Sequence, residues 1–583
     1  MIKKTCRQCN TEFIIEDADL EFYKKISPTF DGKTFEIPAP SLCPRCLNIK
    51  RFAMRNIVNL YKRKCDLCGK DSVSMYSPDK KDIKVFCHDC WWSDKWSHAD
   101  YAQDYDANKS FFEQIAELKK KVPQPALMHS GDENSDYINL ANDNKNCYLV
   151  FLSGRNENVY YGYWAEDSKD CVDINMVAFS EFCYESSNLD KCYNLNWSVN
   201  CNSCRDCYFV ENCTDCSDCI LCSGLNHKSY CYKNNQLTKE EFEKIKDDFF
   251  DSLETDLEGL RNEFRQIIIS TPKRFAQILR SENCFGDYIF DSKNCFDCFR
   301  VERSEDCRNC YEINYGKDMR NVSGFGLHSE LIYESQNIGI SSNNCAFISF
   351  AYQLVDSLYC EHCYYSADLF GCVGAKNHAR YCVLNKQYSK EEYEKKVAEI
   401  IEGMRMIPLS QGSAGQEWGE FFPANFSSFG YNESIASTHY LLSREEAIKS
   451  GYNWQDADYD IETNGSPYEP LPIKSYEHNE EARKDLLSSF LICEVSGRPF
   501  KILPQELLFH IKQNLPLPRR HYLVRMKDRL NMINKDNLYH RQCMCEEQGH
   551  GHEGRCQNEF ETTYAPDRPE KVYCESCYQK SVL

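Results

Sequence analysis

No run of about 18 apolar residues occurs anywhere in the 583-residue sequence, so nothing in it reads as a membrane-spanning helix. Met1-Ile-Lys-Lys-Thr-Cys6 leads straight into a cysteine pair without the apolar stretch of a secretory signal, which points to a cytoplasmic protein. Basic residues are in the minority, 69 Lys plus Arg against 89 Asp plus Glu. A net charge of −20 argues against a protein that coats nucleic acid with its whole surface, but local basic patches remain open. Catalytic signatures are also missing: the chain has no phosphate-cradling glycine loop after a strand, no His-Glu-x-x-His and no Gly-x-Ser-x-Gly elbow. A non-enzymatic protein is therefore the first expectation, with a redox or metal enzyme kept as the lesser one. With 13% aromatic residues the chain is not disordered, and its length calls for several domains.

What is abundant is cysteine, 36 residues. In a reducing compartment these are thiols or metal ligands rather than disulfides. The N-terminal group reads Cys6-x-x-Cys9, Cys43-x-x-Cys46, Cys65-x-x-Cys68 and Cys87-x-x-Cys90. Two such turns complete a tetrahedral sulfur site for zinc. The expected pairing is 6/9 with 43/46 and 65/68 with 87/90, an interleaved pairing remaining open. The C-terminal region repeats this module: Leu60-Tyr-Lys-Arg-Lys-Cys65 matches Leu538-Tyr-His-Arg-Gln-Cys543, and Ile37-Pro-Ala-Pro40 matches Leu515-Pro-Leu-Pro518. Its first site has decayed, with Ser496 three residues after Cys493 and Arg519-Arg520-His521 where Cys43 and Cys46 would fall. Its second is expected at Cys543, Cys545, Cys574 and Cys577, with Cys556, His550 and His552 as spare donors. The expected total is three zinc ions.

The central cysteines follow a different rule. Asn146-Cys147, Asn158-Val159, Asp170-Cys171 and Phe182-Cys183 recur every 12 residues, then Asp206-Cys207, Asp218-Cys219 and Tyr230-Cys231, with one irregular coil expected around Cys192. A 12-residue unit is too short for a helical repeat and fits one coil of a β-solenoid with cysteines stacked inside. The run Cys213-x-x-Cys216-x-x-Cys219-x-x-Cys222 can then be a ladder showing several columns at once or a metal cluster. The block recurs near an offset of 151, as Asn294-Cys295 and the exits His227 and His378 show, with looser spacing between Asn321 and Asn344. Each copy runs into a helix opened by a capping box, Thr238 with Glu241 and Ser389 with Glu392.

The fold class expected is mainly β and multidomain: a duplicated solenoid with helical caps, flanked by zinc-ribbon or treble-clef-like modules. The divisions are 1–97 (zinc module with two four-cysteine sites), 98–130 (linker with a short helix), 131–236 (solenoid), 237–280 (helical), 281–387 (second solenoid), 388–406 (helix), 407–485 (irregular docking segment) and 486–583 (zinc module, one site).

The clearest functional signal is electrostatic. Arg45, Lys50, Arg51, Arg55, Lys62, Arg63 and Lys64 fall within 20 positions without an acidic residue. The corresponding C-terminal stretch carries Arg519, Arg520, Arg525, Lys527 and Arg529. Such segments beside zinc knuckles suit phosphate tracking, RNA more than DNA. Equally, they suit helix faces that pair with the acidic solenoids and hold the domains together. The alternative function is a protein–protein scaffold; no membrane partner is expected.

The Cys-Pro-Arg-Cys and Cys-Asp-Leu-Cys-Gly module, the exit at 385–393 and Glu417-Trp-Gly-Glu-Phe-Phe-Pro423 together resemble large cysteine-rich zinc-ribbon proteins of uncultivated, reduced-genome bacteria. The resemblance implies zinc binding and a bacterial cytoplasm but no activity. The 12-residue coil is separately similar in architecture to insect antifreeze solenoids.

Overall fold

The computed structural model describes residues 1–406, 416–456 and 467–582. Parts of the 407–485 segment, 407–415 and 457–466, lie outside the described residues. Strand exceeds helix, 34% against 26%, so the chain is mainly β, with cysteine clusters in the terminal modules. It divides into two compact units, Met1–Leu127 with Ala276–Ala457, and Met128–Phe275 with Asp458–Leu583. Each terminal module thus belongs with the ladder remote from it in sequence.

In the second of these units a parallel ladder runs from His129 to Tyr232, closed by an antiparallel return at Asn235–Gln236. Its register is the 12-residue period: Tyr148 pairs with Tyr160, Val172 with Tyr184, and Cys219 with Cys231. No irregular coil interrupts it at Cys192. Tyr184 pairs with Asn196, Leu189 with Cys201 and Leu195 with Cys207, so the column continues with leucine in place of cysteine. The ladder Ile278–Gln387 of the other unit keeps the same step from Gly286↔Cys298 to Cys307↔Met319. It then takes two steps of 13, Lys317↔Glu330 and Glu330↔Asn343, before returning to 12 at Ser349↔Glu361. One inserted residue per step accounts for the loosened spacing after Asn321.

A shorter period lies inside the long one. Asn146, Leu149, Leu152, Arg155 and Asn158 have φ between 51° and 56°, and the left-handed backbone recurs at every third residue through the His129–Tyr232 ladder and, apart from breaks such as Gly324–His328 and Ile340–Asn344, through the other. The next residue points inward: Cys147, Val150, Val159, Cys171, Ile174 and Cys183 are all at most 2% exposed. Twelve residues are therefore four triplets, and a Cys-x-x-Cys spacing within a ladder is two neighbouring inward positions. Asn and Asp suit the left-handed corners because a short polar side chain tolerates φ > 0. Here they also stack into amide ladders, Asn134–Asn146–Asn158–Asp170 at 2.8, 3.2 and 2.8 Å.

Cysteine does more inside than fill space. The Cys147 Sγ faces the carbonyls of Lys145 at 3.4 Å and Asn156 at 3.7 Å, and Cys171 repeats this with Lys169 and Ser180 at 3.2 and 3.7 Å. Serine substitutes directly: the Ser180 hydroxyl donates to Ala178 O at 2.8 Å and accepts from Cys192 N–H at 3.0 Å. A small weak donor at the inward position thus meets the carbonyls that the corners leave over. Burial pushes the Cys147 thiol up to about 11, which keeps it protonated at neutral pH.

The capping helices lie where the sequence places them, with the boxes at Thr238/Glu241 and Ser389/Glu392 formed. The expected continuous helix after Thr238 breaks at Thr255, and Asp256 caps the next one, Leu257–Ser270. Phe249 and Phe264 seat these helices on Tyr208 and Phe209, with ring centroids 5.4 and 5.6 Å apart.

A buried histidine gives each unit an acid-sensitive point. His362 stacks on Phe350 at 4.8 Å with Nδ1 3.0 Å from the Tyr364 hydroxyl, and His510 Nδ1 lies 3.3 Å from Leu515 O. Burial lowers both to about 3. Each is neutral when folded and titrates near 6.5 when unfolded, so its cost appears as pH falls below 6.5, at about 1.4 kcal/mol per pH unit. Between pH 7 and 5, His362→Phe is expected to lose about 2 kcal/mol less stability than the parent chain in urea titrations. Equal losses would refute this assignment.

Candidate metal centres

The terminal cysteines are brought together by two local devices. At Cys6 and at Cys65 a knuckle turns back on itself through a left-handed residue, Asn10 at φ 61° and Gly69 at φ 73°. Each of those residues donates its N–H to the first cysteine's carbonyl at 2.9 Å. The partner pair opens a helix. Cys43 and Cys87 are the N-cap residues of Pro44–Phe52 and His88–Trp92, with Cys46 and Cys90 in the first turns. The donor atoms of Cys6, Cys9, Cys43 and Cys46 all lie within 4.8 Å of one another, as do those of Cys65, Cys68, Cys87 and Cys90. This is the sequential pairing, not the interleaved one.

The spacing of these sulfurs tests the fit to an ion. Two sulfurs bound at the zinc–sulfur distance of about 2.3 Å and the tetrahedral angle are about 3.8 Å apart. Cys9 Sγ and Cys43 Sγ are 3.7 Å apart, and Cys68 Sγ and Cys87 Sγ 3.9 Å. Backbone N–H groups also turn toward the sulfurs, as Cys87 N–H does toward Cys65 Sγ at 3.3 Å. Burial opposes ionisation of Cys65, but the N–H groups of Cys87, Cys68 and Leu67 outweigh it and hold the thiol down at about 7. The Cys65 thiol, held down, and the Cys147 thiol, pushed up, thus differ in how readily they ionise.

The C-terminal module departs from expectation. Cys543, Cys574 and Cys577 are gathered as predicted, but their fourth member is Cys556, not Cys545. The hairpin Tyr539–Gln542 with Glu559–Thr562 brings Cys556 back beside Cys543. Cys545 lies instead with His550, His552 and Cys577 in a further set of four. The described residues therefore hold four sets able to bind metal ions, all outside the ladders. The decayed site keeps its knuckle without its donors. Gly497 N–H donates to Cys493 O at 2.9 Å, while Cys493 is buried with Phe500, Ile502, Leu507 and Leu517. An apolar core stands where the N-terminal module gathers Cys6, Cys9, Cys43 and Cys46.

The basic residues expected to meet phosphate are divided. Lys50, Arg51, Arg55, Arg525 and Arg529 are buried, Arg51 and Arg55 at 0% exposure. Arg51 pairs with Glu334 at 2.8 Å and Arg55 with Glu312 at 3.3 Å. Arg529 pairs with Asp173 at 2.9 Å, Arg525 contacts both Asp173 and Glu506, and Lys50 donates to Phe421 O at 3.1 Å. Asp173, Glu312 and Glu334 all occupy left-handed corner positions of a ladder. These five side chains are thus removed from the phosphate-binding set, because each is enclosed by a ladder or a docking segment of its own unit. Arg63 folds onto the carbonyls of Ser77 and Lys80 at 3.2 Å, and Arg520 is held by Glu494 and Asp528 at 2.7 and 3.1 Å. Arg45, Lys62, Lys64, Arg519 and Lys527 remain exposed.

No family model matches the chain, and no curated protein matches it. Among solved structures, one titled "putative acetyltransferase from Desulfovibrio desulfuricans G20" is similar at 12% identity, over 42% of this chain and 66% of that one. The TM-score of that match is 0.12, too low to carry an argument.

Proposed function

We propose that this chain is a zinc-stapled, non-enzymatic scaffold that binds protein partners on its ladders, each ladder being a four-sided β-solenoid. What carries the reading is the use made of the basic helices: their arginines are consumed by ladder carboxylates, so the terminal modules clamp the rods. Support comes from the metal sets, whose four protein donors each leave no open coordination position for a substrate. Zinc fits the cysteine-rich tetrahedral donor sets better than a hard, oxygen-seeking cation. The ladder in the second unit exposes Phe179 and Tyr193, at 56% and 44%, and large exposed aromatics favour protein contacts.

The test is affinity capture with the metal-loaded chain after nuclease treatment, beside a Phe179→Ser/Tyr193→Ser variant. Partners that survive nuclease and are lost from the variant are the expected result. Binding that needs nucleic acid, weakens steeply with salt and is lost in Lys62→Glu/Lys64→Glu would replace this reading with the nucleic-acid one.

A further inference from the structure

We infer that the C-terminal module holds two metal ions in one centre, joined by the Cys577 thiolate. The inference rests on the zinc reading above and adds to it a fourth ion and a shared ligand. The knuckle at Cys543 is the Cys65 knuckle with ten residues inserted. Cys65 N–H donates to Lys70 O at 2.9 Å, and Cys543 N–H to Asn558 O at 2.8 Å. Cys87 N–H points to Cys65 Sγ at 3.3 Å, and Cys574 N–H to Cys543 Sγ at 3.2 Å. The flanking hairpins correspond as well, Tyr61–Lys64 with Asp71–Ser74 and Tyr539–Gln542 with Glu559–Thr562. The main difference is the loop between the two knuckle cysteines: Cys65 and Cys68 are 3 positions apart and Cys543 and Cys556 are 13, hence 13 − 3 = 10.

The inserted loop supplies Cys545, His550 and His552. Two tetrahedral ions need eight ligand positions. The four cysteines of the ribbon and the three inserted donors make seven, and one bridging thiolate makes eight. Cys577 is the residue common to both sets.

Both imidazoles are posed for this role. His550 places Nδ1 3.2 Å from Cys545 Sγ and turns Nε2 to the Glu547 carboxylate at 3.4 Å. His552 places Nε2 3.4 Å from Cys577 Sγ and Nδ1 2.8 Å from Gly554 O. One ring nitrogen toward the donor cluster and the other held by a carboxylate or carbonyl is how metal-ligating histidines are oriented. Glu547 is itself fixed by the Tyr573 hydroxyl at 3.0 Å.

The experiment reconstitutes the full chain with cadmium-113 and combines native mass spectrometry with cadmium NMR. Four ions per chain are expected, two of them with resonances split by mutual coupling through the bridging sulfur. His550→Ala/His552→Ala should remove one ion and abolish the splitting while the other three remain. Three ions in the parent chain, or four with no cadmium–cadmium coupling, would overturn the shared centre. A chain that takes up no metal at all would instead fail the zinc reading on which the centre depends.

Discussion

Asp173→Ala is expected to destabilise its unit by about 3–5 kcal/mol, the cost of leaving a buried guanidinium without its carboxylate. Asp173 faces both Arg525 and Arg529, and Glu506 completes the group, so two positive and two negative charges are enclosed together. Burial pushes the Asp173 carboxyl up, and the two arginines draw it back down. Removing the carboxylate leaves Arg529 with Asn175 Oδ1 at 3.1 Å and Arg525 with Glu506 at 3.4 Å, neither able to balance the lost charge. For a unit of this size, the loss corresponds to a fall in melting temperature of roughly 10 °C. Lys527→Glu, on an exposed side chain of the same unit, should shift it by less than about 2 °C, since surface substitutions stay within about 0.5 kcal/mol. A melting temperature unmoved by Asp173→Ala would mean that the clamp contributes nothing to docking.

The pairing also shows what a linear sequence conceals. Both alternatives for the basic stretches were visible, phosphate binding and a charged helix face, and nothing in the spacing of Arg51 and Arg55 separates them. The distinction depends on which ladder each helix meets, and the answer is the ladder remote in sequence. Long-range docking of that kind leaves no local periodicity. By contrast, the 12-residue register was legible because each coil repeats its own inward residues. The triplet inside it was legible too, in Cys201-x-x-Cys204-x-x-Cys207, but the same spacing serves a metal knuckle. What separates them is the backbone: a knuckle needs one left-handed residue after its second cysteine, whereas a ladder needs one before every inward position. Asn or Asp ahead of cysteine, as in Asn146-Cys147 and Asp170-Cys171, was the available signal. The exchange of Cys556 for Cys545 was missed because a ten-residue insertion makes the sequence neighbour the wrong spatial one.

Stripping the metals should have the largest effect, and an uneven one. In the C-terminal module the buried cluster gathers Cys543, Cys545, Cys556, Cys574 and Cys577 around Tyr573, with the half-buried Met544, Phe560 and Tyr578 packed against it. Five of its six fully buried residues are donors, so without ions the hairpin is held against its helix mainly by Tyr573 and three half-buried side chains. Structural zinc contributes about 10–16 kcal/mol in isolated zinc-finger peptides at pH 7, which exceeds what so small a core can replace. The neighbouring decayed site is different, because Phe500, Ile502, Leu507, Leu517 and Leu486 already fill it. An excess of strong zinc chelator should therefore abolish hydrogen-exchange protection over residues 539–582 and leave residues 490–517 protected. Thiol alkylation under the same conditions should label the cysteines of the four metal sets while the ladder cysteines, all buried except Cys284, stay unreactive, since burial there does not depend on an ion. Uniform loss of protection along both ladders would show that the ions hold the whole chain together, and unchanged protection at 539–582 would show that they do not hold even the ribbon.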